Sequence, residues 1–431
     1  MLRYDEDYLF LKTDSTRNWY EKIKYSPLSI NGNAFISYGG DVRFQYLYFK
    51  NENWGDVPQD KDGYMLTRWL AHADLHAGNH FRTFVQLQSS LSVSRNNPSP
   101  LDKNLLEAHQ FFADAIVNTR SASNLTFRFG RQELLFGSQR LVSLDDGPNH
   151  RRSFDALAAM FSTLHYNIHV FFSHPVEPRP GIFDDGFNRK ASLWGAYLGR
   201  NQFPGLKNLD LYYFGLWKRG AVFDDGEGEE LRHSIGTRIW STKGNWHYDF
   251  EGVYQFGKFC GKKISAWTAS VKSSYQLTQM PMSPQLGLKT EVISGDKNYG
   301  DSKLQTFNPL FPRGLYFGLI EQIGPVNLID VHPYVSSNLS KKLNLEFDYD
   351  EFWRCSGNDG LYAMDGKIYY SGKTSNERHI GGQFASELSY EPVQFLNFSW
   401  DLAWFKAGPF LKMAGSGKDI FYTCVTAQLT F

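Results

Sequence analysis

Along most of this chain, apolar and polar residues change places at every step. In DVRFQYLYF, residues 41–49, Val42, Phe44, Tyr46 and Tyr48 take one face while Asp41, Arg43 and Gln45 take the other. FRTFVQLQ (81–88) sets Phe81, Thr83, Val85 and Leu87 against Arg82, Phe84, Gln86 and Gln88. LTFRFG sets Leu125, Phe127 and Phe129 against Thr126, Arg128 and Gly130. The same alternation runs through NWHYDFEGVYQF (245–256), LNLEFDYD (343–350) and FYTCVTAQLTF (421–431). A period of two marks strands with one apolar face, and long stretches of helical period are missing.

Two kinds of connection separate the strands. Short ones fall near Gly78-Asn79, 119–124, His165, 201–207, Gly244-Asn245, Met280-Pro281, Lys341-Lys342 and Pro392. Long polar ones fall near 51–63, 95–104, 138–150, 174–188, 219–231, 258–262, 295–325, 355–376 and 409–418. They alternate in order along the chain, which predicts about eighteen antiparallel strands with all long loops at one end. A soluble sandwich gathers its apolar faces into one dry core. Here Trp, Tyr and Phe recur on strand after strand, too many to share a single core. Facing them into hydrocarbon, with charges on a wet lumen, resolves the excess, and closure of the sheet pairs every backbone group. The expected fold is an all-β transmembrane antiparallel β-barrel over residues 32–431, with short periplasmic turns and long extracellular loops. A polar lead-in over 1–31, carrying Trp19 and Tyr20, is expected on the periplasmic side. Phe431 then marks the lipid-facing end of the closing strand.

Composition agrees with that reading. Of the 431 residues, 16% are aromatic, led by 35 Phe and 24 Tyr. Mean hydropathy is nonetheless only −0.43. Aromatic girdles around a polar lumen account for both values. No window approaches the 18 or so consecutive apolar residues of a transmembrane helix. The start, MLRYDEDYLFLKTDS, lacks a basic stretch followed by an apolar one, so an outer-membrane location implies that Met1 replaces a removed signal. Three scattered cysteines, Cys260, Cys355 and Cys424, match neither a metal pattern nor a disulfide framework. The net charge of +0 argues against nucleic acid as a partner.

Several motifs have a plain reading beside a functional one. LDDGPN, FDDGFN and FDDGEGEE could offer oxygen ligands to Ca²⁺, with Asp224, Asp225 and Glu227 the best set. Asp-Gly is equally the ordinary turn pair. His72, Asp74 and His76 share one strand face, as metal ligands or as simple lumen residues. No nucleophile elbow, zinc-protease helix or phosphate loop is present, and neither enzyme activity nor a cofactor is expected. The charged face is more informative. Alternation places Arg43, Arg68, Arg82, Arg128, Arg232, Arg238, Lys272 and Lys289 inward, together with Asp41, Asp74, Asp210, Asp249, Glu251, Glu291, Glu346, Asp348 and Asp401. In a narrow pore with low-dielectric walls, fixed charges focus the field and select ions, and Arg forks suit carboxylates. The same charges could instead pair across the lumen and brace the barrel.

Some stretches carry a resemblance. FRFGRQELLFGSQRLVS (127–143), followed by NHRRSFDAL (149–157), resembles the Gly-Arg-Gln…Gly…Arg-Leu…Arg-x-Phe-Asp segment of the alginate export family of outer-membrane barrels. YGGDVRFQYLYFKNENWG (38–55) resembles that family's first strand and loop. SGDKNYGDSKLQTFNPLFPRGLYFG (294–318), then NLIDVHP (327–333), resembles its long extracellular loop and return strand. The resemblance implies an 18-stranded barrel and a passive export channel for an anionic uronate polymer, with an arginine-rich constriction. By position it implies pore-lining roles for Arg43, Arg128, Arg131, Gln132, Arg140, Arg152 and Asp155. Strand alternation alone adds Arg68, Arg82, Arg238, Lys289 and Glu291. The implied partners are anionic oligo- or polysaccharide, outer-membrane lipid and periplasmic export components. Alternatives are a nutrient-uptake porin for carboxylates or sugars, and a barrel enzyme or saccharide-binding β protein. The 295–325 loop is expected to fold inward or cap the mouth, with a short helix.

Overall fold

A computed structural model describes residues 2–14, 16–118, 123–203 and 207–431, without the side chains of Leu315 and Tyr316. Eighteen antiparallel strands build one closed wall. They are β1 (Ala34–Lys50), β2 (Tyr64–Ala77), β3 (Phe81–Val93), β4 (Asn104–Asn118), β5 (Asn124–Gln132) and β6 (Phe154–Ser162). There follow β7 (Tyr166–Glu177), β8 (Ala191–Phe203), β9 (Lys207–Phe223), β10 (Gly226–Ser241), β11 (Trp246–Phe259) and β12 (Lys262–Gln276). The circuit ends with β13 (Gln285–Ile293), β14 (Leu328–Ser340), β15 (Leu343–Arg354), β16 (His379–Val393), β17 (Leu396–Ala407) and β18 (Ile420–Thr430). β1 closes the ring by pairing with β18, from Asp41↔Thr430 to Lys50↔Phe421. Beyond the last strand residue, Phe431 exchanges both backbone hydrogen bonds with Gly40.

The alternation read from the sequence is the inside–outside alternation of this wall. Phe44, Trp69, Leu87, Phe127, Phe250, Phe347 and Val425 are exposed on the outside, while Arg43, Arg68, Arg128, Asp350 and Cys424 are buried inside. In lipid these rings and aliphatic chains meet hydrocarbon, and the ladder leaves no free edge.

Two expected loops are sheet instead. Within 219–231, β9 runs to Phe223 and β10 begins at Gly226, so only Asp224 and Asp225 form the turn. Ala221 and Phe223 are buried and Val222 is exposed, so the period of two continues beneath the charges that suggested a loop. Within 258–262, Cys260 (φ 47°) and Gly261 (φ 82°) make a two-residue turn with both residues left-handed, the geometry that tight hairpins favour. The short turns expected near 119–124 and 201–207 fall largely outside the described residues.

The main apolar core lies within the barrel, where loops from the long-loop end fold inward. Phe307, Phe317 and Ile320 of the segment after β13 pack there with Phe136, Leu141 and Val142 of the segment after β5, against Phe154, Phe352 and Phe405 of the wall. The two segments are stitched together in strand fashion. Ser143 N donates to Phe311 O at 2.9 Å, Phe311 N to Leu141 O at 2.9 Å and Arg313 N to Gln139 O at 3.0 Å. The expected inward fold and short helical turn are both present, the latter a 3-10 turn at Gly314–Phe317.

Phe127, exposed on the outer face of β5, tests which side meets lipid. Phe127→Arg is expected to destabilise the barrel by about 2–4 kcal/mol at mid-depth, measured by denaturant titration in lipid vesicles. Unchanged stability would invert the two faces.

Candidate functional site

The arginines singled out from sequence share one property: each is engaged. Arg128 grips Asp114 with both arms of its fork, at 2.7 and 2.8 Å. Arg82 holds Asp74 (2.8 Å), and Arg131 holds Asp155 (2.9 Å) and Glu107 (3.3 Å). Arg238 bonds Asp249 at 2.8 and 2.7 Å and Asp210 at 3.2 Å. Arg140 pairs with Glu291 and, at 3.1 Å, Glu251. Arg68 pairs with Asp41 (3.3 Å) and Asp146 (2.8 Å). Arg43 reaches backbone carbonyls, those of Asp146 (2.8 Å), Gly147 (3.1 Å) and Pro148 (2.8 Å). Arg152 clasps the two infolded segments through Asp145 (3.1 Å), Ser143 O (3.2 Å) and Pro312 O (3.1 Å). Gln132 donates to Gly130 O and Ala156 O within the wall. Forks matched to carboxylates at these distances are strong, directional ties.

The other motif residues are engaged as well. Asp224 accepts from Tyr299 Oη and Gly372 N, each at 2.7 Å, and Asp225 accepts from Gly300 N and pairs with Lys262. These two carboxylates, offered by the sequence as calcium ligands with Glu227, clamp neighbouring loops, and Glu227 is exposed. His72 stacks on Phe84 and His76 on Phe35, and Asp74 belongs to Arg82.

At the short-turn end, the N-terminal segment folds back into the mouth. Tyr4 is buried edge-on between Phe84 and Phe112, and its hydroxyl donates to Glu133 O at 2.8 Å. Arg128 lies over the Tyr4 ring at 4.2 Å, and Arg3 donates to Phe431 O at 2.7 Å. The helix α1 (Trp19–Lys24) opens with a capping box between Asn18 and Glu21, and its Lys24 is buried beside Glu6 and the Tyr8 ring.

Two lumen cavities flank the infolded segments. One, about 420 Å³, is lined by Arg140, Arg238, Lys272, Lys289, Arg313, Glu346 and Glu387 among others. The second, about 530 Å³, is lined by residues of β1, β2 and β16 to β18 and of the infolded loops. Arg313, Leu319 and Glu387 border both. Here the charge pattern changes. Among the described residues, Lys272, Lys289, Arg313, Glu346, Glu387 and Asp401 make no ion pair. Lys272 faces Lys289 directly across β12 and β13. Glu346 faces Glu387 across β15 and β16, and Glu387 faces Asp401 across β16 and β17. Like charges directly opposite on neighbouring strands destabilise a sheet. Arg313 and Glu387 escaped the sequence reading. Arg313 lies in a loop with no alternation to orient it, whereas the alternation of SELSYEP carries the signal that would have placed Glu387 inward.

On the infolded segment, Glu321 stands between Gly147 and Gly314. Desolvation under the packed loops, with the Asp145 carboxylate nearby, pushes its carboxyl from the ordinary 4.5 up to about 8, against the pull of Arg43 and Arg313. The folded value exceeds the unfolded one, so ionisation opposes packing. Its contribution to stability falls as pH rises between those two values. The shift favours the uncharged carboxyl at neutral pH, which weakens Glu321 as a counter-charge for Arg313.

Paired and unpaired charges should respond oppositely to truncation. Arg140→Ala leaves Glu251 and Glu291 buried without their cation and is expected to cost about 3–5 kcal/mol in denaturant unfolding. Lys272→Ala removes a like-charge opposition and is expected to be neutral or slightly stabilising. A Lys272→Ala cost equal to that of Arg140→Ala would make Lys272 another brace.

The wall resembles solved outer-membrane porins. Pseudomonas aeruginosa OccK2 (OpdF), solved in complex with glucuronate, superposes with TM-score 0.60 at 12% identity, covering 93% of this chain and 98% of that one. P. aeruginosa OpdK with vanillate gives 0.59 at 11%, covering 91% and 98%. A BenF-like porin from Pseudomonas fluorescens Pf-5 gives 0.60 at 10%, covering 92% and 99%. No curated protein matches the chain by sequence. The family model for alginate export matches residues 35–422, which takes in nearly the whole closed wall and both infolded segments. The chain belongs to the alginate export family of bacterial outer-membrane β-barrels.

Proposed function

We propose that this protein is a passive outer-membrane channel for carboxylate-bearing saccharides of the alginate type. The lumen cations Lys272, Lys289 and Arg313 hold the moving carboxylates, and the paired arginines hold the wall. The carrying observation is the Lys272–Lys289 opposition, with Arg313 nearby on the same cavity and none of the three in an ion pair. A sheet that tolerates adjacent like charges does so at sites of function, where stability yields to another requirement. A low-dielectric wall focuses the field of these cations. The Glu346–Glu387–Asp401 row on the neighbouring flank limits how tightly an anion binds, and conduction needs sites weak enough to release. A uronate polymer, with one carboxylate per sugar, would step between such sites.

Uptake of small carboxylates is the second reading. The infolded segments divide the lumen into cavities of about 420 and 530 Å³, the size of a few sugar units rather than of a wide bore. Both readings assign the same cations, so their common test is ion selectivity. In planar bilayers under a KCl gradient, Arg313→Glu and Lys289→Glu are each expected to move the reversal potential toward cation preference. Arg131→Gln, which alters a paired wall charge, should move it little. Equal shifts from all three, or none from the first two, would contradict the assignment.

A further inference from the structure

Beside the cavity that carries the free cations lies a set of side chains that anion passage does not use. Asp330 and His332 sit two residues apart on β14 and therefore face the same side, inward. Asp350 is the inward neighbour of His332 on β15, where His332 and Asp350 come into contact. All three are nearly inaccessible, at 2%, 3% and 0% exposure. One ligand atom from each lies within 4.8 Å of the other two.

The satisfaction of these groups is incomplete. Asp330 Oδ1 is buried with no hydrogen-bond partner, and Asp330 makes no ion pair among the described residues. Its cross-strand neighbour on β13, Glu291, is already taken by Arg140. The nearest cation on the adjoining strand, Lys289, lies against the Tyr334 ring at 4.9 Å rather than on a carboxylate. Gln383 supplies one weak contact, to Asp350 Oδ2 at 3.3 Å. Buried carboxylates without a counter-charge are strongly unfavourable, whereas a divalent ion would neutralise two at once. The site borders the cavity of about 420 Å³, which His332 and Asp348 help to line, and the infolded segment covers it in part. Gly318, held at φ 85° in the infolded segment, passes so near that a Cβ there would lie 2.8 Å from Asp350 Oδ2.

We propose that Asp330, His332 and Asp350 form a divalent-metal site in the barrel wall. Two carboxylates balance the ion's charge and one imidazole supplies nitrogen, with Asp348, 3.6 Å from His332 Nε2, as an outer carboxylate. A set of two oxygen donors and one nitrogen, without thiolate, suits Zn²⁺ or Mn²⁺ over soft ions such as Cu⁺. Bound there, the ion removes the repulsion between β14 and β15 and gives the infolded segment a fixed floor beneath Gly318. Its ligands are other residues than Lys272, Lys289 and Arg313, although His332 lines the same cavity and faces Lys289 across the strands, so it stands whether the solute is a polymer or a small carboxylate.

The test uses the full chain, folded in detergent and stripped with EDTA. Calorimetric titration with Zn²⁺, and separately with Mn²⁺, should give one equivalent bound by wild type. Asp330→Asn and His332→Gln should each weaken binding at least as much as loss of an outer-shell partner, about 10–100-fold. His72→Gln, in the other lumen group, should bind as wild type does. Co²⁺ added to wild type alone should develop visible absorption that excess Zn²⁺ abolishes, a readout that survives if the variants fail to fold. No bound equivalent in wild type, no such absorption, or equal affinity in His332→Gln would overturn the proposal and leave the cluster sharing protons instead.

Discussion

In hydrocarbon a backbone N–H or C=O has no solvent to bond, so a sheet crossing the membrane must close on itself. Everything else in this protein follows from that closure. It joins β1 to β18 and fixes which residues point outward, and in doing so it sends most of the strands' charged side chains into one enclosed lumen. The lumen then becomes the place where charges must be balanced at short range.

Most of them are. Asp74, Asp114, Asp155, Asp249, Glu251 and Glu291 are each held by an arginine, and Arg43 and Arg152 tie the infolded segments to the wall through carbonyls and Asp145. Against that background, unpaired groups stand out. Lys272, Lys289 and Arg313 line one cavity with Glu346 and Glu387, and like charges oppose one another across strands on both flanks. A lumen built only for rigidity would have cross-paired them, since opposite charges directly opposite are favourable. Their separation leaves a basic flank beside an acidic one, a field through which a carboxylate can move without being trapped.

The wall was legible in the sequence where the period of two was followed; at Ala221–Phe223 the neighbouring charges suggested a loop and hid a period that the structure shows to continue. Alternation also placed Arg43, Arg82, Arg128, Lys272 and Lys289 on the inner face. What alternation cannot supply is the partner. Asp114 lies 14 residues before Arg128 and Glu291 lies 151 after Arg140, and only the register of neighbouring strands and an infolded loop bring them together. Motif resemblance drew attention to Arg131, Arg140 and Arg152, which the structure finds in wall and loop ties. Arg313, on a segment without periodicity, emerges only once that segment is seen to enter the barrel. The N-terminal stretch is similar: nothing in RYDEDY signals that Tyr4 lodges between Phe84 and Phe112.

If free cations inside a braced barrel guide carboxylated saccharides, the interaction should be visible one molecule at a time. The most direct measurement is single-channel recording of the wild-type barrel in a planar bilayer, with oligouronates of increasing length added to one side. Resolved blockades whose dwell time grows with the number of carboxylates, and which neutral oligosaccharides of equal length fail to produce, are the expected result. Channels that ignore uronates, or that respond equally to neutral sugars, would contradict a lumen organised around unpaired cations.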